Sequence, residues 1–245
     1  MLDIHSHILP NIDDGATSIN DTDKLLKKAV SEGISHIIAT PHFDPTYHTT
    51  KPIILDKVKM VNDYAKENDI PITVYPGQEV RIYAELLDNL NQHVTLMDKG
   101  QYMLIEFPED HVPMYAEQIF YGMQLKGIQP ILVHPERNQG IIKNPNILYE
   151  FVNRGVLTQV TAGSIVGKFG KPIKKLSLEL INHELIHFIA SDAHKIGSRD
   201  FHMTKARKIM TRKFGKDYTD NLIKNASLIA TKETIYSGYP EPFKN

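Results

Sequence analysis

The stretch PILVHPER, Pro130 to Arg137, decides how the rest of the chain is read. Ile131, Leu132 and Val133 leave no polar face, as expected of a strand buried on both sides in a helix-covered parallel sheet. The run stops at an imidazole, His134, and a guanidinium follows at Arg137. An ionisable group just past an apolar strand falls at the C-terminal edge of such a sheet, where α/β proteins place their sites.

The same pattern recurs along the chain. Strands are predicted at Leu2–His7, His36–Thr40, Thr73–Gly77, Tyr102–Phe107, Pro130–His134, Leu157–Thr161 and His187–Ser191. Amphipathic stretches lie between them at Thr22–Glu32, Ile53–Glu67, Tyr115–Leu125, Asn146–Asn153, Ile173–Asn182, Phe201–Phe214 and Thr219–Glu233. Seven strands alternating with helices and no mid-chain linker predict one α/β domain over residues 1–236. Closure into a barrel fits the length of 245 residues, with an open doubly wound sheet as the alternative. Residues 237–245 hold two prolines and a glycine and are expected to form a short flexible tail. No common nucleotide-binding glycine fingerprint occurs.

Composition narrows the classes. Hydrophobic residues at 41% and charged residues at 23% exclude a disordered chain, a collagen and a membrane bundle. A net charge of −1 provides no global field for nucleic acid or anionic lipid, although a local patch remains open. Cysteine is absent, which excludes disulfides, thiolate metal sites and a cysteine nucleophile. No Lys or Arg precedes Lys24, so no basic signal-peptide region is seen, and the expected location is the cytoplasm without membrane insertion.

The informative feature is where ionisable residues fall. His5 and His7 close the first strand, His42 follows the second, Glu79 follows the third and Glu106 ends the fourth. His134 ends the fifth, while Asp192 and His194 follow the seventh. Residues i and i+2 of an extended segment point the same way, so His5 with His7, and Asp192 with His194, can face one pocket. Asp13 and Asp14 lie in the loop after the first strand, and being adjacent they point differently; one can ligate while the other caps the following helix. So many anionic oxygens are costly to gather without cations. A mixed imidazole and carboxylate set of this size predicts two or three metal ions sharing a bridging carboxylate. The remaining histidines (His36, His48, His93, His111, His183, His187 and His202) lack this placement and are read as surface or packing residues. Arg137 and Arg199 stand beside the site, and Arg81 is a weaker third. A guanidinium near a metal cluster is favourable when an anionic group such as phosphate lies between them.

The blocks HSH, DDG, TPHF, GQE, LIEFP, HPER and SDAH resemble the motif series of the polymerase and histidinol phosphatase (PHP) family. They are most similar to its bacterial manganese-dependent protein-tyrosine phosphatases of the CpsB/YwqE type. The resemblance spans residues 1 to about 230 and implies a distorted (β/α)7 TIM-like barrel with a trinuclear centre. Its motifs would assign His5, His7, Glu79 and Asp192 to one ion, and Asp14, His42 and His194 to a second. A third would share Glu79 and add Glu106 and His134. The resemblance puts substrate contact on Arg137 and Arg199, and implies Mn2+, with Zn2+, Fe2+ or Co2+ as alternatives. The implied substrate is phosphotyrosine on a cytoplasmic bacterial tyrosine kinase that controls capsule or exopolysaccharide synthesis. Alternatives are a histidinol-phosphate or other small phosphomonoester phosphatase, an amidohydrolase, a nuclease and a non-enzymatic kinase-binding scaffold. Glu106 stands where many amidohydrolases carry a carboxylated lysine, and the chain lacks a polymerase portion and a basic surplus.

Overall fold

The computed structural model describes residues 1–231, 233 and 235–244. Lys232 of the last predicted helix, Thr234 of the predicted domain and Asn245 of the predicted tail lie outside the described residues. The strands are β1 (Leu2–Ser6), β2 (His36–Ala39), β3 (His42–Phe43), β4 (Thr73–Pro76), β5 (Glu79–Arg81), β6 (Tyr102–Glu106), β7 (Gln129–Val133), β8 (Leu157–Thr161) and β9 (Phe188–Ala190). The helices are α1 (Ile19–Ser31), α2 (Lys51–Glu67), α3 (Leu86–Asn89), α4 (Ala116–Leu125), α5 (Gln139–Lys143), α6 (Asn146–Asn153), α7 (Ala162–Val166), α8 (Lys171–Asn182), α9 (Met203–Phe214) and α10 (Lys216–Thr231).

Among the described residues every pairing of these strands is parallel. One sheet has the order β1-β2-β4 and the other β3-β5-β6-β7-β8-β9. The chain passes from β2 to β3 through Thr40 and Pro41, and from β4 to β5 through Gly77 and Gln78. These short continuations carry His42 and Glu79 beyond the predicted strand ends. The first and last strands also meet: His7 N donates to Ala193 O at 2.8 Å and Asp192 N to His5 O at 2.9 Å.

Alternation along the strands separates two apolar clusters. In β7, Ile131 and Val133 join Ile4, Leu104 and Phe188 in the smaller one. Leu132, with Ile105 and Ile189, joins the larger one, which includes the apolar stripes of α1, α2 and α4. Ser18 caps α1 by accepting from Asp21 N, so the cap expected of Asp13 or Asp14 is taken by a residue closer to the helix. Pro52 stands in the first turn of α2, where its missing N–H costs nothing.

The segment 237–245, expected to be flexible, is tied down over its described part. Phe243 stacks on His183 with ring centroids 4.0 Å apart, and its N–H donates to Asn146 Oδ1 at 2.7 Å. Glu241 N donates to His183 O at 2.9 Å. An aromatic ring seated on a partly apolar surface holds a segment that proline and glycine content alone marks as loose. No helix among the described residues is long and apolar enough to cross a membrane.

Candidate metal centre

The site is built from the C-terminal ends of the strands. β1 delivers His5 and His7, both buried. Its register against β2 slips between Asp3 and Ser6. Ile4 therefore packs in the smaller cluster while His5, the next residue, still turns to the site. Two other site residues sit in the left-handed region, His134 at φ 36° and Asp192 at φ 53°. Neither is a glycine, and His134 precedes a proline, so both conformations carry strain of the kind that collects at functional sites. The surroundings hold them: His134 N donates to Gln159 O at 2.8 Å.

The outer nitrogens of the β1 histidines are fixed. His5 Nδ1 lies 2.8 Å from Gln159 Oε1, and His7 Nδ1 lies 2.7 Å from the Asp13 carboxylate. Both partners are acceptors, so each ring keeps a proton on Nδ1 and offers Nε2 inward, to a proton or to a metal ion. The two Nε2 atoms stand 3.3 Å apart. Facing lone pairs at that separation repel unless a cation lies between them.

Glu79 is the hub. Its Oε2 lies 3.2 Å from His5 Nε2, 3.3 Å from His7 Nε2 and 3.1 Å from His42 Nδ1, and its Oε1 lies 2.6 Å from His134 Nε2. Asp192 Oδ1 is 3.5 Å from His5 Nε2 and 3.6 Å from His7 Nε2. Asp14 Oδ1 reaches His194 Nε2 at 3.2 Å and His42 Nε2 at 3.4 Å, while Glu106 Oε1 lies 3.4 Å from His42 Nδ1. Donor atoms that share an ion at about 2.1 Å stand about 3.0–3.4 Å apart. Asp14 Oδ1, His42 Nδ1, Glu106 Oε1 and His194 Nε2 are buried without a hydrogen-bond partner. Unpaired buried polar atoms on four converging residues fit a divalent cation centre with nitrogen and oxygen donors.

All nine predicted ligand positions meet here. They fall into four compact groups: His7, Asp14, His42 and His194; His5, Glu79 and His134; His5, His7 and Asp192; and His42, Asp44 and Glu106. His5, His7 and His42 thus each serve two groups, and Glu106 stands with His42 and Asp44 rather than with His134. Asp44, just past β3 and two residues after His42, was not among the expected residues; its i+2 spacing was the available signal. Asp13, expected to ligate or to cap a helix, instead orients His7, and Gln159 was not among the expected residues, because an orienting partner carries no spacing rule of its own.

The carboxylates create a field that favours cations. Burial pulls the His5 imidazole down, but Glu79 and Asp192 outweigh it and carry it up to about 9. His42 is likewise penalised by burial and lifted by Glu79, Asp14 and Glu106 to about 12. His194 behaves oppositely, since burial and neighbouring His7 push it down to about 4. Asp192 resists burial and stays well below the usual carboxylate range because Arg137 and Arg199 face it.

Arg137 Nη2 lies 2.7 Å and Arg199 Nη2 3.0 Å from Asp192 Oδ2. Arg81 Nε lies 3.0 Å from Glu106 Oε1. All three arginines line a cavity of about 520 Å³ together with Asp14, His42, Glu106 and His134, and Tyr47, Phe169 and Ile173 form part of its non-polar wall. The Arg137 guanidinium stacks 5.0 Å over the Phe169 ring.

A parallel α/β sheet that gathers imidazoles, carboxylates and guanidinia at one edge defines a class, the metal-dependent hydrolases that act on anionic substrates. Within it the chain belongs to the family described as Capsular polysaccharide synthesis, CpsB/CapC, which it matches over residues 1–230. It is 44% identical to the tyrosine-protein phosphatase YwqE of Bacillus subtilis (strain 168), covering 100% of this chain and 97% of that one. It is 40% identical to the putative tyrosine-protein phosphatase CapC of Staphylococcus aureus, covering 98% and 95%. A solved structure described as YwqE from Bacillus subtilis and CpsB from Streptococcus pneumoniae, unique metal-dependent tyrosine phosphatases, superposes with a TM-score of 0.97 at 44% identity over the full length of both chains. A β-aspartyl dipeptidase from Fervidobacterium islandicum shares the fold at a TM-score of 0.58 and 12% identity, covering 94% of this chain and 71% of that one.

Proposed function

We propose that this chain is a metal-dependent protein-tyrosine phosphatase acting in capsule or exopolysaccharide control. The observation that carries the reading is the facing pair of His5 and His7 Nε2 atoms, 3.3 Å apart, with Glu79 between them and His42. The 44% identity to a tyrosine-protein phosphatase over the whole chain supports the substrate class. Support for a distorted seven-stranded barrel comes from the hydrogen bonds that join β1 to Asp192 and Ala193 and bring the ends of the strand order together.

His5, His7, Asp14, His42, Glu79, Glu106, His134, Asp192 and His194 would hold two or three divalent cations, with Mn2+ the preferred ion and Zn2+, Fe2+ or Co2+ as substitutes. When bound, such ions supply hydroxide from coordinated water near neutral pH and neutralise charge on the phosphoryl oxygens.

The chain's own residues bind and orient. Arg137 and Arg199 present planar donor forks suited to the non-bridging oxygens of a phosphate. Their shared contact with Asp192 keeps them poised at the cavity instead of swinging into solvent. Charge that spreads over the equatorial oxygens in the transition state meets two fixed guanidinia in a partly dry site. The tyrosyl ring fits the wall formed by Tyr47, Phe169 and Ile173. Phenolate leaves readily, so the arginines and ligands need no strong acid beside them. The physiological substrate in this reading is a tyrosine-phosphorylated protein, a bacterial tyrosine kinase in the cytoplasm, and residues 1–236 act as one domain.

Metal analysis of chelator-free protein, joined to hydrolysis assays, tests the reading. Two to three divalent ions per chain and turnover of a phosphotyrosine peptide well above histidinol phosphate are expected. Metal-free protein with full turnover, or a preference for histidinol phosphate, overturns it.

A further inference from the structure

The near-neutral total charge conceals an uneven distribution. Residues 168–216 hold 12 of the 28 basic side chains but 4 of the 29 acidic ones. Part of this surplus gathers at a groove shared by α8 and the end of α9. Lys171, Lys174, Lys175 and Lys213 line a surface groove of about 370 Å³ with Leu178 and Glu179. Glu179 pairs with Lys175 at 3.6 Å. Among the described residues, no carboxylate lies within ion-pair distance of Lys171, Lys174 or Lys213. The stem of Lys174 runs beside Gly167 in the α7–α8 connection, where an added Cβ would meet its Cδ at 3.3 Å.

That connection also walls the catalytic cavity. Phe169 and Ile173 line the cavity, while Lys171 and Lys174, on either side of Ile173 in the first turn of α8, line the groove. One turn of helix advances 5.4 Å, so the groove starts within a few residues' reach of a chain whose phosphotyrosine is seated among the arginines.

We propose that the Lys171, Lys174, Lys175 and Lys213 groove is a docking site for an acidic segment of the substrate, Asp- and Glu-rich, flanking the phosphotyrosine. The assignment rests on the phosphatase reading and adds the substrate's flanking chemistry to it. Four ammonium groups with one carboxylate among them complement an anionic peptide, and such rim charges act on capture and salt dependence. A peptide with a neutral flank loses the groove but keeps the cavity.

The test compares the Mn2+-loaded full chain with its K171E/K174E/K175E/K213E variant on three substrates. These are free phosphotyrosine, a phosphotyrosine peptide with Asp/Glu flanks and the same peptide with Gln/Ser flanks. The acidic peptide should show a kcat/KM about tenfold above the neutral one at low salt, carried by KM, and the gap should close as salt screens it. The variant should lose the preference and turn over free phosphotyrosine as the parent does. Equal turnover of both peptides by the parent, or a preference that survives the four substitutions, overturns the docking site. So does binding of anionic vesicles or oligonucleotide through these lysines without any effect on peptide choice. Should the variant fold poorly, salt titration of the unsubstituted chain on the two peptides decides instead, and a preference that salt leaves untouched overturns the docking site. Free phosphotyrosine turnover reports separately on the phosphatase reading, because it needs no groove.

Discussion

His5 and His7 owe their inward Nε2 atoms to two residues that touch no substrate, Gln159 and Asp13. Asp13→Asn keeps the size of the side chain but allows an amide N–H to face His7 Nδ1, loosening the ring. Metal affinity should fall about 10–100-fold, read by competition with a chromophoric chelator. Unchanged affinity would show that Asp13 serves the loop rather than His7. Arg199→Ala should lower kcat/KM on a phosphotyrosine peptide about 10²–10³-fold with metal content retained; loss of the metal instead would move Arg199 from substrate contact to a structural role. The ligand types were legible because each follows an apolar run. Their orienting partners were not, and neither was Glu136. Its carboxylate is fully buried and accepts from Thr161 N at 3.0 Å and Ser164 Oγ at 2.6 Å, tying the Arg137 turn to the start of α7. Nothing in HPER separates that anchoring acid from a solvent-exposed one.

At the level of elements, the loop after β1 depends on Gly15. A Cβ there would meet His7 O at 2.1 Å and His7 Cβ at 2.5 Å, and His7 is itself buried and held by its N–H to Ala193 O at 2.8 Å. Gly15→Ala should therefore displace the loop bearing Asp13 and Asp14. Loss of bound metal with a far-ultraviolet spectrum close to the parent is the expected outcome, and full metal content would contradict it. The seven apolar runs located the main strands within a residue or two, since buried parallel strands announce themselves by composition. β3 and β5 were hidden because Pro41 and Gly77 interrupt the runs just before the ligands appear. The slip in β1 was equally invisible, because an irregular register leaves no trace in a pattern of period two. Helices α3, α5 and α7 span five residues or fewer, too short for a 3.6-residue repeat to show.

For the molecule as a whole, acid sensitivity is expected away from the site. His187 is buried, and its Nδ1 accepts from Thr158 N at 3.1 Å, so a proton there would face a donor. Burial pushes its pKa down to about 4. An unfolded chain takes up this proton as pH falls through about 6.5, whereas the folded chain resists until about 4. Stability is thus fully present above pH 6.5 and is lost as pH falls toward 4, by about 3 kcal/mol for this group. His187→Gln should flatten the fall in urea midpoint between pH 7 and pH 5 relative to the parent; identical slopes would assign the acid sensitivity elsewhere. The α/β class with parallel strands was legible from the alternation of strands and helices. The docking of Phe243 was not, because a single ring seated on His183 has no signature in a segment of prolines.

The hydrogen bonds between β1 and the segment after β9 bear on biosynthesis. Asp3 receives hydrogen bonds from Ser191, 188 positions away, and the ligands on either side of that seam are far apart in the sequence. A ribosome that stalls before the SDAH block releases a chain unable to assemble the full ion-binding pocket. Catalytic competence is thereby tied to synthesis past that block, and chains released earlier stay chemically silent.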